Sequence, residues 1–296
     1  MRSPSFNPRV VLLPAVLAVA TSSLFIRLAD VSPVAAAFWR AAIAGTVFLP
    51  SFILPTIRKQ WRSIPGGTLF ALAAATLIIV AHNILFISSL SYTTVAASVV
   101  ITSTQPIFTA FFGRLLLNEK VSARSVIGLL GALTGTAVIS LSQGGNTTLR
   151  GNLLALAAAL TVAAFALCAR KLRQRVPIVP FMFTVQLASS LYLLLFAVLW
   201  AIPLTGFNAA SWKALLLLGL IPTFIGHTLL SYALGYLKAY LVGLAIIGEP
   251  VGATVLAAIF LGEIPSGQIL IGVVLILASI LFAMSEKEAV PATIAG

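Results

Sequence analysis

Thr104-Gln105-Pro106 is followed, fourteen positions after Gln105, by Glu119 in the run Leu116-Leu117-Asn118-Glu119-Lys120-Val121-Ser122. Gly248-Glu249-Pro250 is followed at the same distance by Glu263 in Phe260-Leu261-Gly262-Glu263-Ile264-Pro265-Ser266. Gly128 and Gly272 come nine positions further on, and Tyr92 and Tyr236 thirteen positions before the Gln and Glu. All these pairs share one offset of 144 residues without a gap. The chain therefore reads as a duplication, with residues 1–146 and 147–296 as two repeats of a single membrane domain. An apolar chain with a polar residue beside a mid-helix proline in each copy has the pattern of a transporter.

Of the 296 residues, 60% are hydrophobic and only 8% charged. A water-soluble domain cannot hide that much apolar surface. The apolar runs are each roughly 18–25 residues, and a spanning helix needs about 20. The first run, from about Val10 to Leu28 behind Arg2 and Arg9, resembles the start of a signal peptide. It is too long for the apolar region of one, and Pro33 opens a second run at once, so it is expected to be retained. Cys168 stands alone, which excludes an internal disulfide and every multi-cysteine metal motif. The net charge of +12 is dispersed in short loops between apolar runs, a distribution that fits basic loops held on one membrane side and not nucleic-acid binding.

Ten spans are expected, near 10–28, 33–54, 67–88, 93–113, 123–142, 152–169, 178–202, 211–234, 239–260 and 266–284. Breakers lie between them at Ser32-Pro33, Pro65-Gly66-Gly67, Gln143-Gly144-Gly145-Asn146 and Pro203-Leu204-Thr205-Gly206. Lipid offers the backbone no hydrogen-bond partner, so each span must be helical. With both termini in the cytoplasm, fourteen of the basic residues fall on the inner side. Only Arg27, Arg150 and Lys213 fall outside, and Arg40 lies within a span. That asymmetry sets the orientation. Five helices per repeat turn the second repeat upside down relative to the first, an arrangement suited to alternating access.

Ionisable groups inside spans are costly and ask for a reason. Arg40 lies about seven residues into the second span, roughly 10 Å below the outer edge. Glu249 is close to the midplane, and His82 and His227 stand at near-equivalent places, 145 residues apart. Pro106 and Pro250 are expected to kink the fourth and ninth helices and to free the carbonyls of Thr102 and Ile246, toward a cavity or for a neighbouring side chain. Thr94, Ser98, Thr102, Gln105 and Thr109 share one helical face. That face suits either cavity lining or helix-to-helix bonding. Gly128-x-x-x-Ala132, Gly131-x-x-x-Gly135 and Ala37-x-x-x-Ala41-x-x-x-Gly45 read as close-packing seams. The fifth and tenth helices are accordingly expected to be scaffold or dimer-forming, in a monomer or weak homodimer.

One deep cation and one deep anion could hold a zwitterion. Arg40 suits a carboxylate, Glu249 or Gln105 an ammonium, and Trp39 or Tyr232 a cation–π face. Phe86, Phe165, Phe183 and Tyr232 would accommodate a large apolar side chain. Alternatively Arg40 pairs with Asp30 or with backbone carbonyls, or snorkels to the surface. His82 and His227 could shuttle protons or be satisfied hydrogen-bond groups. Placed in different halves, they are not a metal-ligand set, and no metal or cofactor is expected.

These residues resemble a known family. Gln105-Pro106 and Glu249-Pro250, each followed by Glu119 or Glu263 and a Gly-bearing fifth helix, look like the EamA-type branch of the drug/metabolite transporter superfamily. Phe38-Trp39-Arg40-Ala41 with Ala44-Gly45 is similar to that family's second helix. Within it the chain looks most like the YddG-type exporters. The resemblance implies an all-α, ten-helix bundle in the bacterial inner membrane that exports aromatic and other neutral amino acids.

Other function classes fit less well. No HExxH, catalytic Ser/His/Asp set or acidic metal cluster suggests an enzyme. A channel would favour one continuous polar pore, often built by oligomeric symmetry. No phosphate-binding Gly-x-x-x-x-Gly-Lys motif is present, which leaves a solute or ion gradient as the driver. A multidrug or cationic-compound exporter is the runner-up, because an unpaired Glu249 would suit cations.

Overall fold

The computed structural model describes residues 6–89, 92–93, 98, 101–118, 121–141, 148–249, 251–252 and 266–284. Thr94, Glu119, Pro250 and Glu263 lie outside the described residues, and so does most of 253–265. All regular structure among the described residues is helical.

The helices begin where the sequence supplies caps. α1 (Pro8–Ala20) is capped by Asn7, whose side chain accepts from Arg9 N, and α2 (Ser22–Ala29) follows after a break at Thr21. Ser32 caps α3 (Pro33–Val47) by accepting from Ala35 N, with Pro33 at its first turn. Proline is tolerated there because those N–H groups have no helical partner. A 3₁₀ turn over Leu49–Ile53 leads to α4 (Pro55–Arg62), a short helix where the sequence suggested only a loop. It exposes Arg58, Lys59 and Arg62 and turns Ile57 and Trp61 inward.

α5 (Gly66–Ser89) is followed by α6 (Gln105–Leu117), α7 (Ala123–Leu141), α8 (Leu149–Arg173) and α9 (Ile178–Leu199). α10 (Ala209–Leu218) runs through a π-helical stretch, Gly219–Gly226, into α11 (His227–Leu234). α12 (Ala239–Ile246) and α13 (Gly267–Met284) complete the bundle.

Six of these helical stretches are long and apolar enough to cross a membrane: Pro8–Ile26, Pro33–Ile53, Gly66–Ser89, Leu149–Arg173, Ile178–Leu199 and Ala209–Leu234. Shorter apolar helices stand near two more expected spans, Ala123–Val138 and Gly267–Ala283. The surface agrees with a lipid solvent. Phe111, Leu115 and Val274 are each more than 60% exposed, while Ser98 and Thr109 are wholly buried. A protein dissolved in water shows the reverse.

Helix pairing follows the 144-residue offset. α5 packs on α8, and the π stretch and α11 pack on α1. α3 packs on α9, α6 on α12, and α7 on α13. A shift of 144 carries the first of these pairs onto the second and each of the others onto itself. The α7–α13 seam is the tightest. A Cβ added at Gly128 would stand 2.6 Å from Ala283 Cβ and 2.7 Å from Ser279 O, and one at Gly135 2.7 Å from Gly272 O. Without water to drive association, such close approach supplies the van der Waals contact that holds two helices together.

Candidate functional site

The polar residues beside the two prolines meet at a pair of broken helices. After Ile101-Thr102 the helix gives way to a turn at Ser103-Thr104 and restarts at Gln105. After α12 it gives way at Ile247-Gly248 and restarts at Glu249. The turns carry the same bonds. Thr104 N donates to Ile101 O at 3.1 Å and Ile107 N to Thr104 O at 2.9 Å. In the other half Gly248 N donates to Ala245 O at 2.9 Å and Val251 N to Gly248 O at 3.1 Å.

The first helix is therefore interrupted before Pro106 and not kinked at it. Pro106 sits in the first turn of α6, where its missing N–H removes no helical bond. The kink expected at Pro250 lies outside the described residues. The two broken helices cross closely, since a Cβ on Gly243 of α12 would stand 3.2 Å from Pro106 Cγ and 3.3 Å from Gln105 Nε2.

Around this crossing lies a cavity of about 230 Å³. Of the residues singled out in the sequence, Arg40, His82, Phe86, Thr102, Gln105, Pro106, Phe165, His227 and Glu249 line it. The others lie elsewhere. Trp39 turns away from its neighbour Arg40, donates Nε1–H to Leu204 O at 2.7 Å and packs edge-on to Trp212. Ser98 is buried against Ser89, and the two hydroxyls are hydrogen-bonded. Phe183 joins Phe52 and Trp61 in an aromatic cluster. Tyr232 holds the N-terminal segment, its hydroxyl accepting from Phe6 N at 3.0 Å and donating to Phe6 O at 3.1 Å. Each of these misplacements is a matter of helical face. Met182, Val185, Gln186 and Ser189 line the cavity, and Phe183 is one step, about 100°, off that stripe. The polar stripe of the fourth helix is likewise divided. Thr102 and Gln105 face the cavity, whereas Thr109 donates to the carbonyls of Gln105 and Pro106, both at 3.1 Å.

Arg40 is the best-defined group in the wall. Its Nε donates to Thr223 Oγ1 at 3.1 Å, and its Nη2 meets His227 Nε2 at 2.7 Å. A guanidinium only donates, so His227 Nε2 accepts and the imidazole carries its proton on Nδ1. Thr223 in turn donates to Leu218 O at 2.7 Å, five residues back along the π-helical stretch. Asp30, the surface partner considered for Arg40, takes no part in these bonds. His82 presents Nδ1 to Ala158 O at 2.9 Å, which fixes a proton there and leaves Nε2 on its other side. Its ring lies parallel to Phe86, with centroids 6.0 Å apart.

Glu249 makes no hydrogen bond to any described residue, and its carboxyl interacts electrostatically with Arg40. Thr102 Oγ1 is buried without a partner. Among the described residues no group of three or more His, Cys, Asp or Glu could hold a metal ion.

Asn83, Ser103, Gln186, Ser189 and Thr223 also line the cavity and were not singled out from the sequence. The repeat carried a signal for several of them. At an offset of 144 the partner of His227 is Asn83, not His82. Thr223 matches Ile79, and Ser103 matches Ile247, and all of these are wall residues. Gln186 and Ser189 have no such signal.

The profile of the EamA-like transporter family matches twice, over residues 10–141 and 149–285. The uncharacterized transporter YetK of Bacillus subtilis is 27% identical over 265 residues, covering 84% of this chain and 77% of its own. An uncharacterized transporter of Clostridium kluyveri is 24% identical over 264 residues, covering 83% and 82%. A solved crystal structure superposes with a TM-score of 0.78 over 94% of this chain and 96% of its own, and at 21% identity this likeness speaks for the fold alone. Apolar helices, an enclosed polar cavity and transporter relatives mark a multi-pass membrane protein that moves a small molecule. With both halves matched by one profile, the chain belongs to the EamA-like transporter family.

Proposed function

We propose that the protein is a secondary transporter that exports neutral amino acids, aromatic ones among them, across the bacterial inner membrane by alternating access. Ten helices in two inverted five-helix repeats would surround the solute, with both termini in the cytoplasm. The observation that carries this reading is the cavity wall itself, in which Arg40 and Glu249 stand together with Phe86 and Phe165. A guanidinium suits a carboxylate, a carboxylate suits an ammonium, and the phenyl rings suit an apolar side chain. The matching breaks before Gln105 and Glu249 support a symmetric exchange of roles between the halves, since unwound helices near the midplane are where such carriers bind their solutes. The cavity, at about 230 Å³, is smaller than the roughly 300–1,000 Å³ that holds a drug-sized ligand.

Purified protein in liposomes is expected to take up or exchange labelled L-phenylalanine. Transport of a cationic dye with no amino acid moved would instead favour the cationic-compound exporter, the reading that the unbonded Glu249 keeps in view. Labelling of single cysteines at positions 119 and 263, in a chain lacking Cys168, is expected to reach them from opposite membrane faces. Labelling from one face would refute the inverted arrangement.

A further inference from the structure

With both imidazoles neutral, Arg40 and Glu249 are the two charged side chains in the cavity wall among the described residues. Neither is neutralised by a bonded counter-ion there. The two partners of Arg40, Thr223 and His227, are uncharged hydrogen-bond acceptors. They occupy one flank of the guanidinium and leave N–H groups of the fork for a further acceptor. Glu249 makes no hydrogen bond to a described residue, and the charge that acts on its carboxyl is that of Arg40. A lone charge carried through hydrocarbon is strongly disfavoured, so every state of the cavity that crosses between its two openings is constrained to balance.

Resting on the reading of an amino-acid carrier, we propose that Arg40 and Glu249 are each other's counter-charge in the empty cavity and are re-paired by the cargo. The solute carboxylate takes Arg40 and its ammonium takes Glu249. The empty and the loaded cavity then both sum to zero, and the wall selects solutes whose own charges cancel. The rule shifts by one unit with each residue. Glu249→Gln leaves a net positive wall that selects a monoanion, and Arg40→Gln leaves a net negative wall that selects a monocation. His227 and Thr223 are positioning residues, which aim the guanidinium without carrying charge.

Calorimetric titration of the full-length protein in detergent tests this with three probes of one shape. They are L-phenylalanine, 3-phenylpropionate (no ammonium) and phenethylamine (no carboxylate). Wild type is expected to bind L-phenylalanine on the order of 100-fold more tightly than either single-charged probe. In Glu249→Gln 3-phenylpropionate becomes the tightest ligand, and in Arg40→Gln phenethylamine does. A monodisperse variant that keeps the wild-type ranking, or binds none of the three, overturns the charge rule while leaving the carrier reading intact. If either variant fails to fold, Glu249→Asp and Arg40→Lys carry the test. They keep the charge and are expected to keep the wild-type ranking, and a changed ranking overturns the rule. Wild type that binds none of the three but does bind tetraphenylphosphonium overturns the carrier reading and the rule together.

Discussion

Arg173 on α8 donates from Nε to the main-chain oxygen of Ser231 on α11 at 2.9 Å. It also donates to Val176 O, and Arg170 reaches Leu234 O at 3.1 Å. Both guanidiniums are buried. They meet the last turns of α11, whose terminal carbonyls lack helical partners and carry the negative end of the helix dipole. Ser231 and Leu234 also line the cavity, so this clamp fixes part of its wall. Arg173→Ala is expected to destabilise the protein by about 1.5–3 kcal/mol, the range for hydrogen bonds to a charged group. Thermal unfolding in detergent should show it as a lower midpoint, with no change for the exposed Arg175→Ala.

The α7–α13 seam contributes no residue to the cavity wall. Gly128→Ala forces a methyl into Ala283 and Ser279 O, and overpacking of this kind costs about 1–3 kcal/mol. The unfolding midpoint is expected to fall, while the affinity for L-phenylalanine of the protein that remains folded is unchanged. A parallel loss of affinity would tie this scaffold to the site.

His227→Ala removes the acceptor that fixes Arg40 Nη2. Losing a bond to a charged group is worth about 1.5–3 kcal/mol, which corresponds to a drop in affinity of roughly 10- to 100-fold. His227→Gln keeps a carbonyl acceptor and is expected to recover part of it. Binding titrations with L-phenylalanine check both variants.

Thr102 Oγ1 and Thr228 Oγ1 are both buried without a hydrogen-bond partner. Replacing either with the isosteric valine relieves a desolvated hydroxyl and is expected to leave stability equal or raise it by about 1 kcal/mol. Only Thr102 lines the cavity. Thr102→Val is therefore expected to weaken solute binding and Thr228→Val to leave it untouched, with unfolding and binding measured side by side.

Much of this was legible in the chain because a fixed offset is a strong signal. It pointed to the crossing helices and the charged pair, and it would have found Asn83 had it been applied without slippage. Faces were harder. Trp39, Phe183 and Tyr232 each adjoin a wall residue in sequence, yet one helical step turns each of them toward another neighbour. Arg170 and Arg173 read as ordinary loop charges. Their partners are carbonyls at the end of another helix, and no residue type announces those. The interruption before Pro106 was foreseen only as a bend, because proline marks where a helix is weak without telling whether it continues.

The π-helical stretch has a bearing on how the two halves came to differ. The helix that contains it, Ala209–Leu234, has 26 residues, and its counterpart Gly66–Ser89 has 24. The wide coil absorbs surplus length in the middle, so both ends still connect as in the sister copy. It behaves as a fossil insertion, and the imidazole next in line falls against the guanidinium. Deleting Ile221 would return the rod to ordinary pitch, swing everything beyond it by about 100° and leave that cation without its nitrogen partner.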